Sequence, residues 1–243
     1  RWQRQGSRYC VWLARKWVVA NRRVYQALHG NDWQVHIEGD LSPDRSYLLV
    51  ANHQSWADIL VLFDVFHERT PFARFFMKQE LKYVPIIGQV CWAMDMPFMT
   101  RRSSQTDIHT IRQTCALYRE VPVTIVNFLE GTRSTPAKRQ AVASPYRHLM
   151  PPKTGGLCYT LNAMGDQLAG IIDVTLVYEP TARSLAWSWL CGEQKDLQVS
   201  VRILPVPASV LEACGETQRQ AAQRWVHTLW REKDALLEAS AGR

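Results

Sequence analysis

From Trp33 to Leu204 the chain alternates short β-branched or aromatic runs with longer helical stretches, and nothing else in it restricts the fold as strongly. Strands are expected at 33–38, 46–51, 72–77, 96–100, 122–129, 170–178 and 198–204. Helices are expected at 56–67, 79–94, 103–119, 155–165 and 216–238. Parallel neighbours need long crossovers, and helices between strands supply them. The pattern therefore predicts an α/β fold, a largely parallel central sheet flanked by helices. Within 79–94, the apolar stretch from Val84 to Met94 reads mostly as core, with Trp92 and Phe98 as candidate lining of an apolar groove. One long stretch, 131–152, carries Pro136, Pro145, Pro151 and Pro152 and reads as an irregular loop, a length commonly tied to function.

The N-terminal thirty residues are set apart by charge. The whole chain has 29 Lys and Arg against 22 Asp and Glu. Seven of those bases (Arg1, Arg4, Arg8, Arg15, Lys16, Arg22 and Arg23) precede Gly30, and no acid does, so the remaining 22 bases and 22 acids cancel. A neutral body argues against a nucleic-acid groove spread over the fold, and a basic end suits an anionic surface. Residues 7–29 read as one helix closed by Gly30. At helical periodicity Val11, Leu13, Trp17, Val18, Val24, Tyr25 and Leu28 share one side, and Arg8, Arg15, Lys16, Arg22 and Arg23 share the other. That is the pattern of an interfacial anchor and equally of a helix packed on its own domain. The expected division is 1–30, a basic amphipathic membrane-anchoring helix, and 31–243, the α/β body. No run reaches the ~18–20 apolar residues of a membrane-spanning helix. Six cysteines without a C-x-x-C spacing suggest free thiols in a reducing compartment rather than a disulfide framework or a zinc site.

Four segments carry chemistry. Asn52-His53-Gln54-Ser55-Trp56-Ala57-Asp58 follows the strand Tyr47–Val50 and precedes an apolar helix, with Ser55 as candidate N-cap. His53 then lies in a strand-to-helix turn at the sheet edge where α/β proteins place ligands. Asp58, in the first helical turn, can fold back onto one imidazole nitrogen and leave the other as a base. This is the His–Asp half of a catalytic triad without a nucleophile, which suggests deprotonation of an external hydroxyl. The second segment, Phe128-Leu129-Glu130-Gly131-Thr132-Arg133, puts a charged turn after the most strand-like run of the chain. The third holds Lys78 and, beyond the apolar helix, Phe98-Met99-Thr100-Arg101-Arg102. The fourth is Pro152-Lys153-Thr154-Gly155-Gly156 at a helix start, where N–H groups and a lysine can hold a phosphate.

In this order and spacing the segments resemble the glycerolipid acyltransferase family, the lysophosphatidic acid acyltransferases and their relatives. Asn52-His53 through Asp58 is similar to that family's first motif, Phe98-Met99-Thr100-Arg101 to its second and Phe128 through Arg133 to its third. Lys153-Thr154-Gly155 resembles its Lys/Arg-x-Gly step. Where the fourth motif usually has Val-Pro, this chain reads Ile171-Ile172-Asp173-Val174-Thr175, more like the lysocardiolipin acyltransferase branch and its bacterial relatives.

The resemblance implies acyl transfer from a thioester, acyl-CoA or acyl carrier protein, to the hydroxyl of a lysophospholipid, 1-acyl-glycerol-3-phosphate first among them. It implies His53 as base and Asp58 as its orienting partner. Arg101 and Arg133 are expected on the substrate phosphate, since guanidinium forks match phosphate oxygens; Lys78 and Lys153 are further candidates. Gly131 and Thr132 are expected near the glycerol or the developing oxyanion, and Glu130 on Arg133 or the glycerol. Neither a metal nor a cofactor is expected, and the implied place of work is the cytoplasmic face of the inner membrane. Two other readings use the same residues: a thioesterase or lipid hydrolase whose His–Asp pair activates water, and a non-catalytic peripheral membrane protein.

Overall fold

A computed structural model describes residues 2–29, 33–100, 105–179, 183–194, 196–213 and 215–241. The elements are, in chain order, α1 (Trp2–His29), β1 (Gln34–Glu38), β2 (Ser46–Ala51), α2 (Ala57–Val65), β3 (Ala73–Phe75) and β4 (Met77–Lys78). A 3-10 turn over Gln79–Tyr83 leads to α3 (Ile87–Ala93) and β5 (Phe98–Met99). Then come α4 (Gln105–Tyr118), β6 (Thr124–Phe128), α5 (Pro136–Ala141), α6 (Gly155–Met164) and β7 (Leu168–Val177). The chain ends with α7 (Leu185–Leu190), β8 (Gln198–Leu204), α8 (Ala208–Leu211) and α9 (Gly215–Ala241).

Six strands form one sheet in the order β1-β8-β7-β2-β6-β3, and β4 pairs with β5 apart from it. All neighbours in the large sheet are parallel except β7 and β8. Strand β2 lies in the middle with Leu48, Leu49, Val50 and Ala51 fully buried, because both faces of the sheet are covered. Its alternate residues divide the core. Leu48 and Val50 join Ile125 and Ile171 under α4, α6 and α9. Tyr47, Leu49 and Ala51 join Val126 and Ile172 under α2 and α3. Helix α1 packs along α2 on this second face, burying Val18 and Tyr25. Among the described residues no helix is long and apolar enough to cross a membrane.

The strand expectations hold to within a few residues, apart from 72–77, which breaks into β3 and β4. Helix 79–94 fails in two ways. Pro85 removes an N–H and Ile86 takes φ +68, so the stretch divides into the 3-10 turn and α3. The two halves then fold onto each other: a Cβ on Gly88 would meet the Lys82 carbonyl oxygen at 2.2 Å, so only glycine fits. Nor is Val84–Met94 mostly core. Gly88, Cys91 and Met94 are buried, whereas Val84, Ile86, Ile87, Val90 and Trp92 are exposed. Phe98 packs partly buried against the core rather than lining a groove. The irregular stretch contains α5, started by the Thr135 hydroxyl accepting from Lys138 N with Pro136 in the first turn. Helices α7 and α8 were not anticipated. The predicted cap Gly30 and residues 103 and 104 lie outside the described residues. Cys10, Cys91, Cys115, Cys158 and Cys191 are free thiols.

Candidate active site

Because β7, β2 and β6 run parallel, their C-terminal ends share one sheet edge, and each end delivers part of one site. At the end of β2 the Asn52 side chain continues the ladder that the main chain abandons. Its Nδ2 donates to Leu176 O at 2.9 Å and its Oδ1 accepts from Leu176 N at 2.8 Å. The backbone can then turn, and His53 is fixed there on four sides. Its N–H donates to Glu130 Oε1 at 2.8 Å, and its carbonyl accepts from Ser134 N at 2.7 Å. Its ring stacks on Phe128 with centroids 4.1 Å apart, and its Nδ1 lies 2.8 Å from Asp58 Oδ2.

Asp58 is fully buried in the first turn of α2. Its Oδ2 also accepts from the backbone N–H of Gln54 at 2.6 Å and of Ser55 at 2.9 Å, so the carboxylate ties the whole turn to the helix start. The Ser55 hydroxyl accepts from Ala57 N at 3.3 Å, one position earlier than a standard cap bond. With N–H donors already on Oδ2, that oxygen meets the imidazole as an acceptor. Nδ1 therefore carries the proton, and Nε2 presents a lone pair. The other oxygen, Oδ1, accepts from the Tyr178 hydroxyl at 2.6 Å. Burial and the Asp58 charge push the Tyr178 phenol well above its usual range, which keeps it a donor. Sequence reasoning missed Tyr178, which sits one residue past β7 and 120 residues from its partner.

Glu130 was expected on Arg133 or the glycerol, but its side chain turns inward. It is 1% exposed, with Oε1 on His53 N and Oε2 accepting from Met150 N at 2.9 Å. Burial pushes its carboxyl up to about 7, opposed by the hydrogen bonds from His53, Met150 and Ser134. Gly131 takes φ +67, and its N–H is closed onto Phe128 O at 3.0 Å. A Cβ there would come within 3.1 Å of the Lys153 side chain, which lies across the turn. Lys153 N donates to Leu129 O at 2.7 Å, and so the fourth segment docks on the second. Arg133 is exposed. Lys138, a second unanticipated residue, donates from Nζ to Thr132 Oγ1 at 2.9 Å and Arg133 O at 3.0 Å. The Thr-Pro start of α5 was the signal that could have found it.

Lys78 is exposed and pairs with Glu80 at 3.0 Å. Thr100 is held by Asp107, which accepts from its N–H at 2.8 Å and its hydroxyl at 2.9 Å. Arg101, which follows, lies outside the described residues. The structure thus joins His53, Asp58, Glu130, Gly131, Thr132 and Lys153 in one continuous turn system. Among the described residues no group of three His, Cys, Asp or Glu side chains converges on a metal site.

The family model described as Acyltransferase matches residues 32–179. The 1-acyl-sn-glycerol-3-phosphate acyltransferase delta of Bos taurus is 30% identical over 171 residues, 66% of this chain and 43% of that protein. The gamma protein of Homo sapiens is 28% identical over 171 residues, 66% of this chain and 44% of its own length. The chain thus spans well under half the length of either relative. The crystal structure of the 1-acyl-sn-glycerophosphate (LPA) acyltransferase PlsC from Thermotoga maritima superposes with a TM-score of 0.57 at 19% identity. The match covers 95% of this chain and 82% of that one, and shows the same fold.

Proposed function

The chain belongs to the acyltransferase family, and we propose that it moves a fatty acyl group from an acyl thioester to the free hydroxyl of a lysophospholipid. The proposed acceptor is 1-acyl-glycerol-3-phosphate and the product phosphatidic acid. One observation carries this reading: a buried, fully engaged Asp58 fixes Nδ1 of His53, and among the described residues Nε2 has no hydrogen-bond partner. Nε2 takes the proton of the acceptor hydroxyl as its oxygen attacks the thioester carbonyl. The tetrahedral centre collapses, the carbon–sulfur bond breaks, and the proton passes from the imidazolium to the leaving thiolate. Ester and thiol are the products, and no acyl-enzyme is needed. Asp58 stabilises the transient imidazolium. Arg133, Lys153 and Arg101 bind the acceptor phosphate, with Lys138 bracing the turn that carries Arg133. The Thr132 hydroxyl, accepting from Lys138, retains its proton to donate to the glycerol or the oxyanion. The names of the curated relatives support the choice of acceptor. The donor rides on CoA or acyl carrier protein, and the reaction takes place at the cytoplasmic face of the inner membrane, where the basic face of α1 meets anionic headgroups.

His53→Ala should abolish transfer while circular dichroism stays unchanged, because the backbone bonds to Glu130, Ser134 and Asp58 that hold the turn do not involve the imidazole. Lipid mass spectrometry over a panel of lysophospholipids, with both donor types, reads the acceptor and the donor. Rapid release of free fatty acid from the thioester alone, without an acceptor, would instead make the protein a hydrolase. Arg133→Ala should raise KM for phosphate-bearing acceptors more than KM for the donor; an equal loss for both would give Arg133 a structural role.

A further inference from the structure

The segment Tyr83–Met94 contains twelve residues and no charge, and its apolar side chains stand out from the surface. Tyr83 is 75% exposed, Ile86 73% and Trp92 71%, values that exclude both core packing and the lining of an enclosed groove. The segment is also firmly built. Gly88 lies against the Lys82 carbonyl, and Ile86, a β-branched residue, is held at φ +68 and ψ −56 in a γ-turn that Ile87 N closes by donating to Pro85 O at 2.7 Å. Strain of that kind persists where the surroundings impose it, and here it projects Ile86 outward. The segment is the excursion between the paired strands β4 and β5, with Met77 opposite Phe98 and Lys78 opposite Met99, and β5 leads directly to Thr100 and Arg101. Helix α1 packs against α3. On α1 itself only Val18 and Tyr25 of the apolar side are buried, and Leu13, Trp17, Val24 and Leu28 remain exposed.

We propose that Tyr83–Met94 is a second bilayer contact, inserting Ile86 and Trp92 into an anionic leaflet beside α1, so that the protein docks on two elements. The proposal rests on the membrane-surface reading given above. Charge selects the occupant. Lys82 is exposed within the turn and Lys16 and Arg23 are exposed on α1, while the two acids that flank the segment are both paired with cations, Glu80 with Lys78 at 3.0 Å and Asp95 with Arg74 at 3.6 Å. Apolar side chains inside a cationic rim fit a leaflet of anionic headgroups. A second copy of the chain would bring two cationic rims together, which like-charge repulsion opposes. Tyr and Trp at the border of the patch suit the headgroup boundary.

The test compares the wild type with an α3 variant (Tyr83→Ser, Ile86→Asn, Trp92→Gln) and an α1 variant (Leu13→Ser, Leu28→Ser). Each is sedimented with phosphatidylcholine vesicles, with and without phosphatidylglycerol, and assayed on a lysophospholipid below its micellar concentration. The α3 variant should lose vesicle partitioning on the order of ten-fold or more. It should keep wild-type turnover of the monomeric substrate. Brominated phosphatidylcholine should quench a component of wild-type fluorescence that Trp92→Phe removes. If the α3 variant partitions like the wild type while the α1 variant does not, α1 anchors alone and this proposal fails, leaving the membrane reading intact. If the wild type itself ignores vesicles of both compositions yet turns over soluble substrate, the membrane reading falls as well. Loss of monomeric-substrate turnover in parallel with binding would assign the patch to the substrate site, and a wild-type dimer that the α3 variant dissociates would assign it to a second copy; either overturns the proposal.

Discussion

Tyr178 spends its only proton on the oxygen of Asp58 that His53 does not use. If that bond matters to the chemistry, its removal should do more than lower stability. In Tyr178→Phe the buried Oδ1 loses its donor, so the carboxylate holds its charge less well shared and pulls harder on the imidazolium. The acid limb of the kcat/KM profile should then move to higher pH. A profile that superposes on the wild type would reduce Tyr178 to packing. Glu130 makes a different prediction, on stability. Its folded pKa of about 7 stands above the usual 4.5, so the stability it contributes is complete below about pH 4.5 and is lost as pH rises through 7. The full effect is about 3 kcal/mol. Urea unfolding at pH 5 and pH 8 should show a gap in the wild type that Glu130→Gln narrows, whatever the variant does to absolute stability. His53 and Asp58 could be read from the sequence because five residues and one helical turn bring them together. The inward turn of Glu130 and the Tyr178 bond could not, because they span 77 and 120 residues and exist only once the strands are ordered.

At the scale of elements, Asp173 explains how β7 departs from the usual Val-Pro of the fourth motif. Proline in a central strand removes a ladder donor. Aspartate keeps the ladder but puts a charge at a position 1% exposed. Two elements answer that charge. Arg202, directly opposite on antiparallel β8, donates to Oδ2 at 2.7 Å. Lys233, fully buried on α9, lies 2.7 Å from Oδ1 and donates also to Val174 O and Thr175 Oγ1. Burial pulls the Lys233 ammonium below its usual range, and Asp173 pulls it back. The pair staples α9 to the sheet. Lys233→Met alone should cost about 3 kcal/mol by removing one of the two cations that hold buried Asp173, and the double variant with Asp173→Val should recover most of that loss, as thermal unfolding would show. None of this is visible in a periodicity plot, where α9 is an amphipathic helix and β7 an apolar run. The same plot placed the strands well, because runs buried on both faces need no partner to be recognised. It misread Val84–Met94 for the opposite reason: apolar composition marks a face that leaves water, and the sequence does not say whether protein or another phase receives it.

For the molecule as a whole, α1 joins the two ends of the design. Its buried side is structural. Tyr25 packs edge-on against Trp189 with ring centroids 4.7 Å apart, Trp189 packs against Trp56 at 5.2 Å, and Trp56 lies between His53 and Asp58 in the chain. Tyr178 packs against the same cluster and reaches the Asp58 carboxylate. The N-terminal helix is therefore separated by one residue, Trp189, through edge-to-face ring contacts, from the turn that carries the base. The outer border of its apolar side, Leu13 and Val24 among others, is exposed. The two sides should separate cleanly in experiment. Tyr25→Ala, which empties the aromatic cluster, should lower stability by roughly 3 kcal/mol and reduce turnover even of a monomeric soluble substrate, because Trp56 loses its support. Leu13→Ser with Val24→Ser should change stability by no more than about 0.5 kcal/mol per site while weakening vesicle sedimentation. If Tyr25→Ala instead leaves soluble-substrate turnover and unfolding at wild-type values, the helix is only an anchor, and the ring contacts do not couple it to the site.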